Sequence, residues 1–268
     1  MPMLASLALL TTLLAGPATP PSAARSASGD VDVELVLAVD TSRSMDYEEM
    51  RVQREGYVSA LQHADFINAV RGGLIGRIAI TYFEWAGEVD PASVLDWQII
   101  ETQADARAFA EKLAARPIAT QRRTSISAAI AYGTQTILTN SYRGMRQVID
   151  VSGDGPNNIG LPVEGVRDKA IEAGIIINGL AIMLRPTGAA AFGSSAGLDD
   201  YYGDCVIGGP GAFVMPVHKP EDFDTAIRRK LVLEVSGLAP DATLHRIAAR
   251  TKTDCMMGEL QWQQFQDR

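Results

Sequence analysis

Val33-Glu34-Leu35-Val36-Leu37-Ala38-Val39-Asp40-Thr41-Ser42-Arg43-Ser44 is the stretch that decides the fold. Its first part is a short, nearly continuous apolar run. A strand with one wet face would alternate instead, so this run reads as a strand covered on both faces. It ends on an acid, followed by hydroxyls at Thr41, Ser42 and Ser44. Beyond it, Met50, Tyr57, Ala60, Leu61, Ala64, Ile67 and Val70 recur at helical spacing and predict one helix over 46–70. The alternation then repeats. Strands are predicted at 78–85, 94–100, 148–152, 175–183 and 212–217, and helices at 105–114, 126–137, 163–173 and 221–235. Apolar strands alternating with amphipathic helices give an α/β fold with a mostly parallel sheet and helices on both faces. Right-handed crossovers make it doubly wound.

The rest of the chain frames this unit. Its 268 residues are 47% hydrophobic and 21% charged, which excludes disordered and collagen-like classes. With 24 basic and 32 acidic residues the net charge is −8, so no nucleic-acid partner is expected. Residues 4–15 (LASLALLTTLLA) are too short a run to span a membrane but suit the apolar region of a signal peptide. Ser22-Ala23-Ala24 supplies the small residues for cleavage, although no Lys or Arg precedes Arg25. The expected organisation is a signal peptide at 1–24, a linker at 25–30, one domain at 31–236 and a polar tail at 237–268 with a helix near 242–250. The mature chain would be periplasmic or secreted, with no membrane span. Residues 185–211 form a long excursion before the last strand.

In doubly wound sheets, ligands bind outside the carboxyl ends of the strands. Reading those ends first collects Asp40, Ser42 and Ser44 after the first strand and Asp154-Gly155 after the fourth. Arg123-Thr124-Ser125 joins them just before a helix. Two carboxylates brought together and partly desolvated repel each other. A hard divalent cation removes that conflict and takes oxygen ligands. Hydroxyl ligands add no charge and leave a coordination position open for an acidic group from a partner. The donor set points to Mg²⁺ or Mn²⁺.

Asp40-x-Ser42-x-Ser44 with Thr124 and Asp154-Gly155 resembles the complete metal-ion-dependent adhesion site of a von Willebrand factor type A domain, over roughly residues 31–236. The loop Ser152-Gly153-Asp154-Gly155-Pro156-Asn157-Asn158, the pair Glu84-Trp85 and the stretch Val206-Ile207-Gly208-Gly209-Pro210-Gly211 are similar to the bacterial domain-of-unknown-function 1194 subfamily. The resemblance implies Ser42, Ser44 and Thr124 as direct or switchable ligands, with Asp40 and Asp154 often acting through water. It implies the strand order 3-2-1-4-5-6 with a short antiparallel third strand. It also puts the turn after Trp85 on the metal face, where Glu84, Trp85, Arg123 and Gly155 are candidate rim residues and Glu88 and Asp90 lie close by. The implied function is non-enzymatic recognition of an unidentified protein that offers a Glu or Asp to the metal.

Plainer readings exist for each residue alone. Ser42 and Ser44 are also good caps for a helix starting near Asp46, and Asp154-Gly155 is also a good turn. For Glu84, Trp85, Asp199 and Asp200 the plainer reading, a packing or solvated residue, is the favoured one. The alternative function is a metal-dependent hydrolase, a phosphatase or esterase, using Asp40 in the same crevice. It needs a general acid, and no histidine stands near Ser42 in sequence. No GxGxxG follows the first strand and no GxxxxGK[ST] occurs, which removes dinucleotide and P-loop chemistry. His63, His218 and His245 lack zinc spacing. Cys205 and Cys255 would tie the tail to the excursion if bonded. Sequence leaves the bonded and free states equally open.

Overall fold

A computed structural model describes residues 29–184, 197–238 and 252–267. The expected signal peptide, most of the linker and the expected helix near 242–250 lie outside these residues. Eleven residues, seven of them apolar, form β1 (Asp30–Asp40), buried along its whole length after Asp30. It lies at the centre of a six-stranded sheet of order β3-β2-β1-β4-β5-β6. The partners are β2 (Ile78–Trp85), β3 (Val89–Ile100), β4 (Arg143–Gly153), β5 (Ile175–Ile182) and β6 (Val214–Val217). Every pairing is parallel except β2 with β3.

The alternating side chains of β1 feed two core layers. Val33, Leu35, Leu37 and Val39 pack under α1 (Tyr47–Gln62), α2 (Ala64–Arg71), α3 (Gln103–Ala114) and α7 (Phe223–Ser236). Val36 and Ala38 face the layer of α4 (Ile126–Thr139) and α5 (Val163–Glu172). The second layer also takes the short α6 (Leu198–Tyr201), with the π-helical turn Tyr202–Val206, and is joined by α8 (Met257–Gln266). Among the described residues, no helix is long and apolar enough to cross a membrane.

Three elements differ from their expected form. The single helix expected over 46–70 is two, broken at His63, whose backbone is extended at ψ 145. Neither Gly nor Pro marks the break; the imidazole Nδ1 accepts from the Asp65 N–H at 3.1 Å and starts α2. β3 is not short: at 12 residues it is the longest strand and holds Pro91 within it. An edge strand tolerates that proline because one row of its backbone groups has no strand partner. The tail carries a helix that was not expected, α8 at Met257–Gln266.

Candidate metal centre

The sheet's central strands deliver both acids to one end. Asp40 closes β1, and Asp154 follows directly on Gly153 at the end of β4. The loop after β1 folds back on its own acid, the Ser42 N–H donating to Asp40 Oδ1 at 2.7 Å. The Ser42 and Ser44 hydroxyls are 2.7 Å apart, and Ser44 donates to Asp154 Oδ1 at 2.6 Å. With Ser44 so committed, Ser42 is the donor to Ser44. A continuous chain of oxygens therefore runs from the first acidic loop to the second.

The serines are not needed as helix caps. Asp46 caps α1 itself: its Oδ1 accepts from the Glu49 N–H at 2.9 Å while Glu49 Oε2 accepts from the Asp46 N–H at 2.8 Å. This reciprocal arrangement satisfies two backbone amides, those of Asp46 and Glu49, at the start of the helix. Thr124 is relieved in the same way, because Ser125 is the cap of α4 and accepts from Ala128.

Thr124 reaches the crevice on a loop bound to both neighbours. Arg43 N–H donates to the Gln121 carbonyl at 3.0 Å, and Ser42 bridges Gln121 in parallel register. On the other side Asn158 brackets Thr124, its side-chain oxygen accepting from the Thr124 N–H at 2.9 Å and its own N–H donating back at 2.8 Å. Thr124 is buried, with 4% exposure.

The electrostatics of the crevice are those of an unbalanced pair. Asp40 is fully buried, and its Oδ2 has no hydrogen-bond partner. Burial pushes its carboxyl well above the usual range, and the charge of Asp154 pushes it further. Backbone hydrogen bonding, from the Ser42 N–H first and then from Asp154, only partly opposes this. No group of three His, Cys, Asp or Glu among the described residues could hold a metal ion. Two carboxylates with three hydroxyls form a different kind of donor set, entirely of oxygen and suited to a hard divalent cation.

The candidate rim residues separate. Glu84 is 1% exposed and points into the first core layer, accepting from Tyr82 Oη at 2.8 Å and from the Arg54 guanidinium. Trp85 is wholly buried in the second layer. Strand alternation sends these side chains inward, so neither offers a surface to a partner. Arg123 and Gly155 remain half-buried at the edge. Arg123 is in the left-handed region at φ 76, with its guanidinium 3.8 Å over the Trp262 ring. Asp199 and Asp200 are half-buried in α6.

Several contributors carry no sequence signal. Gln53 of α1 donates to the Asp40 carbonyl at 3.1 Å and accepts from Ser152 Oγ at 3.5 Å, bridging the ends of β1 and β4. Tyr202 comes close beneath the acids: a Cβ on Gly153 would stand 2.7 Å from its hydroxyl and 2.9 Å from Asp40 Oδ2. The structure also joins Cys205 to Cys255, with Cα atoms 5.5 Å apart.

Comparison with known proteins agrees with this architecture. Four solved structures, of three proteins, share the fold at low identity. Proximal thread matrix protein 1 from the mussel byssus superposes at TM-score 0.55 and 13% identity, over 78% of this chain and 49% of its own. A second form of that protein, with a zinc-occupied MIDAS motif, gives 0.54 and 12% over the same shares. The pilus adhesin SpaC from Lactobacillus rhamnosus GG in its open conformation gives 0.54 and 12%, over 76% of this chain and 30% of its own. A von Willebrand factor type A protein from Catenulispora acidiphila gives 0.50 and 13%, over 77% and 43%. The chain thus spans half or less of each of these proteins. No curated protein matches it in sequence. Residues 30–239, which include every strand and both acidic loops, match the family described as "Protein of unknown function (DUF1194)". The chain belongs to that family, and its fold is that of a von Willebrand factor type A domain.

Proposed function

We propose that this chain is a non-enzymatic recognition module that holds a divalent cation, Mg²⁺ or Mn²⁺, on Asp40, Ser42, Ser44, Thr124 and Asp154. A glutamate or aspartate of a partner protein would complete the metal's shell. The observation that carries the reading is the buried, unpartnered Asp40 Oδ2 beside a second carboxylate, joined to it by serine hydroxyls. The bound cation would supply the positive charge that this pair lacks. The chain's own residues supply the rest: the Ser42 N–H orients Asp40, Ser44 orients Asp154, and Asn158 holds Thr124 beside them. The zinc-holding mussel protein and the pilus adhesin, both of this fold, support metal-linked interaction over a different role.

In this reading residues 31–236 form the recognition domain, preceded by a signal peptide at 1–24 that is cleaved on export. The Cys205–Cys255 disulfide supports an oxidising compartment, the periplasm or the exterior. The net charge of −8 supports a protein partner over a nucleic acid.

Thermal unfolding of the mature chain in EDTA against millimolar Mg²⁺ or Mn²⁺, with Asp40→Ala alongside, tests the cation. A site with a dissociation constant of about 0.1 mM gains about 1.4 kcal/mol at 1 mM metal. At this chain length that raises the melting temperature by roughly 3–5 °C. The shift should vanish in Asp40→Ala. No shift in the natural chain, together with no metal by elemental analysis, rejects the reading.

A further inference from the structure

Two segments far apart in the chain, joined by one disulfide, grip the same buried asparagine. The Asn157 backbone N–H donates to Tyr201 Oη at 3.1 Å, while its side-chain amide donates to Glu259 Oε1 at 2.7 Å. Cys205 lies just after Tyr201 and Cys255 just before Glu259, so the disulfide closes the grip into a clip. Contact on the α8 side is close enough to require glycine: a Cβ on Gly258 would stand 2.0 Å from the Asn157 carbonyl oxygen. Asn157 is wholly buried under it.

What the clip holds is the junction of two ligand loops. Asn157 Oδ1 accepts from the Ser127 N–H at 3.0 Å, in the first turn of the helix that follows Thr124. Asn158, the next residue, exchanges two hydrogen bonds with Thr124 itself. Trp262 of α8 covers Arg123 on the other side of Thr124. Arg123 keeps a backbone conformation that a non-glycine residue holds only where its surroundings fix it. From the Cys205 side, Tyr202 reaches the space beside Gly153 and Asp40 Oδ2.

We infer that the disulfide-linked clip, Tyr201–Tyr202 on one arm and Glu259–Trp262 on the other, is the positioning frame of the metal centre. It sets the Asp154–Asn158 loop against Thr124, and the centre's cation affinity depends on it. Asn157 and Glu259 are positioning residues that act through Thr124 and Asp154. This rests on the cation reading above. A disulfide that served only as a staple would change the melting temperature and leave the affinity of the folded chain alone.

The experiment is Mn²⁺ titration by calorimetry, well below the unfolding transition, on the natural mature chain, Cys205→Ser/Cys255→Ser, Glu259→Ala and Glu259→Gln. Amide hydrogen exchange is followed on the same samples without metal. Loss of either the disulfide or the Glu259 carboxylate should weaken Mn²⁺ binding roughly tenfold, the scale on which partners of metal-ligating groups act. Exchange should speed up at Ser127, Asn157 and Asn158 and stay unchanged in β1. Glu259→Gln, which keeps an accepting oxygen, should bind nearly as the natural chain does. Unchanged Mn²⁺ affinity in a folded Cys double variant or in Glu259→Ala overturns the inference. If the natural chain takes up no Mn²⁺, the cation reading fails by itself. The frame is then decided by exchange: faster exchange at the three amides supports it, and unchanged exchange overturns it.

Discussion

Ser44 donates to Asp154 Oδ1 at 2.6 Å across 110 residues of chain, and this bond joins the ends of β1 and β4 at their acidic loops. Without a cation it partly neutralises one acid of the pair and leaves the other, Asp40, with an oxygen that nothing satisfies. A buried carboxylate in that position costs stability unless it keeps its proton.

Asp40→Asn should therefore leave the metal-free chain as stable as the natural one, or more stable by about 1 kcal/mol, because the amide oxygen still accepts from Ser42 while the charge is gone. The same variant should lose its response to Mg²⁺ or Mn²⁺. Urea unfolding with and without EDTA measures both effects. A metal-free Asp40→Asn that is less stable by about 2 kcal/mol or more would mean that the Asp40 charge is already satisfied in the fold.

Gly153 is the last residue of β4 before the second loop, and its lack of a side chain is required. A Cβ there falls 2.7 Å from Tyr202 Oη and 2.9 Å from Asp40 Oδ2. Both atoms belong to side chains fixed in the core. Gly153→Ala should cost about 1–3 kcal/mol by overpacking and abolish the metal-induced thermal shift. Gly155→Ala, where a Cβ meets nothing within 4 Å, should keep the shift. An equal response from the two variants would show that the crowding at Gly153 relaxes freely.

What the sequence made legible is what the strand ends carry locally. Asp40, Ser42 and Ser44 follow one buried strand and Asp154 follows another, so alternation and topology together bring them to one crevice. The missed parts depend on approaches without local pattern. Tyr201 meets Asn157 across 44 residues and Glu259 meets it across 102. The helix bearing Glu259, Met-Gly-Glu-Leu-Gln-Trp-Gln-Gln-Phe-Gln, has no apolar stripe and buries only Gly258 fully, so periodicity could not announce it. His63 breaks a helix by a ring nitrogen rather than by Gly or Pro. Glu84 shows the reverse case. The resemblance offered it as a rim residue, while Arg54, 30 residues earlier, makes its burial as a packing residue tolerable.

That pair gives a third prediction. Arg54 also donates to the carbonyls of Leu113 and Arg116, tying α1 to the end of α3. Removing Glu84 leaves the guanidinium buried without its counter-charge, and breaking a buried pair on one side costs about 3–5 kcal/mol. Glu84→Ala should lose stability on that scale while the folded protein still shows a metal-induced thermal shift. A stability change under about 1 kcal/mol would return Glu84 to the rim role that the resemblance implied.

The last prediction concerns a charge cluster at the middle of the first core layer. Lys230 of α7 is wholly buried between Asp150 of β4, at 2.6 Å, and Glu234 one turn further along its own helix. Tyr57 donates to Asp150 at 3.2 Å and Asn178 to Glu234 at 3.0 Å. One cation faces two acids, so one acid lacks a counter-charge. Burial, followed by the charge of Asp150, raises the Glu234 carboxyl from 4.5 to about 7. In the unfolded chain Glu234 loses its proton near 4.5, whereas in the fold it keeps it up to about 7. Its contribution to stability is therefore full below about 4.5 and is lost as the pH rises through about 7. Glu234→Gln holds the neutral form at every pH. Compared with the natural chain by urea unfolding, it should gain relative stability between pH 5 and pH 8, since only the natural chain must ionise there. The sign of that relative change is the decisive reading. If the two chains keep the same difference at both pH values, Glu234 is already ionised at pH 5, and the second acid has found its counter-charge elsewhere in the fold.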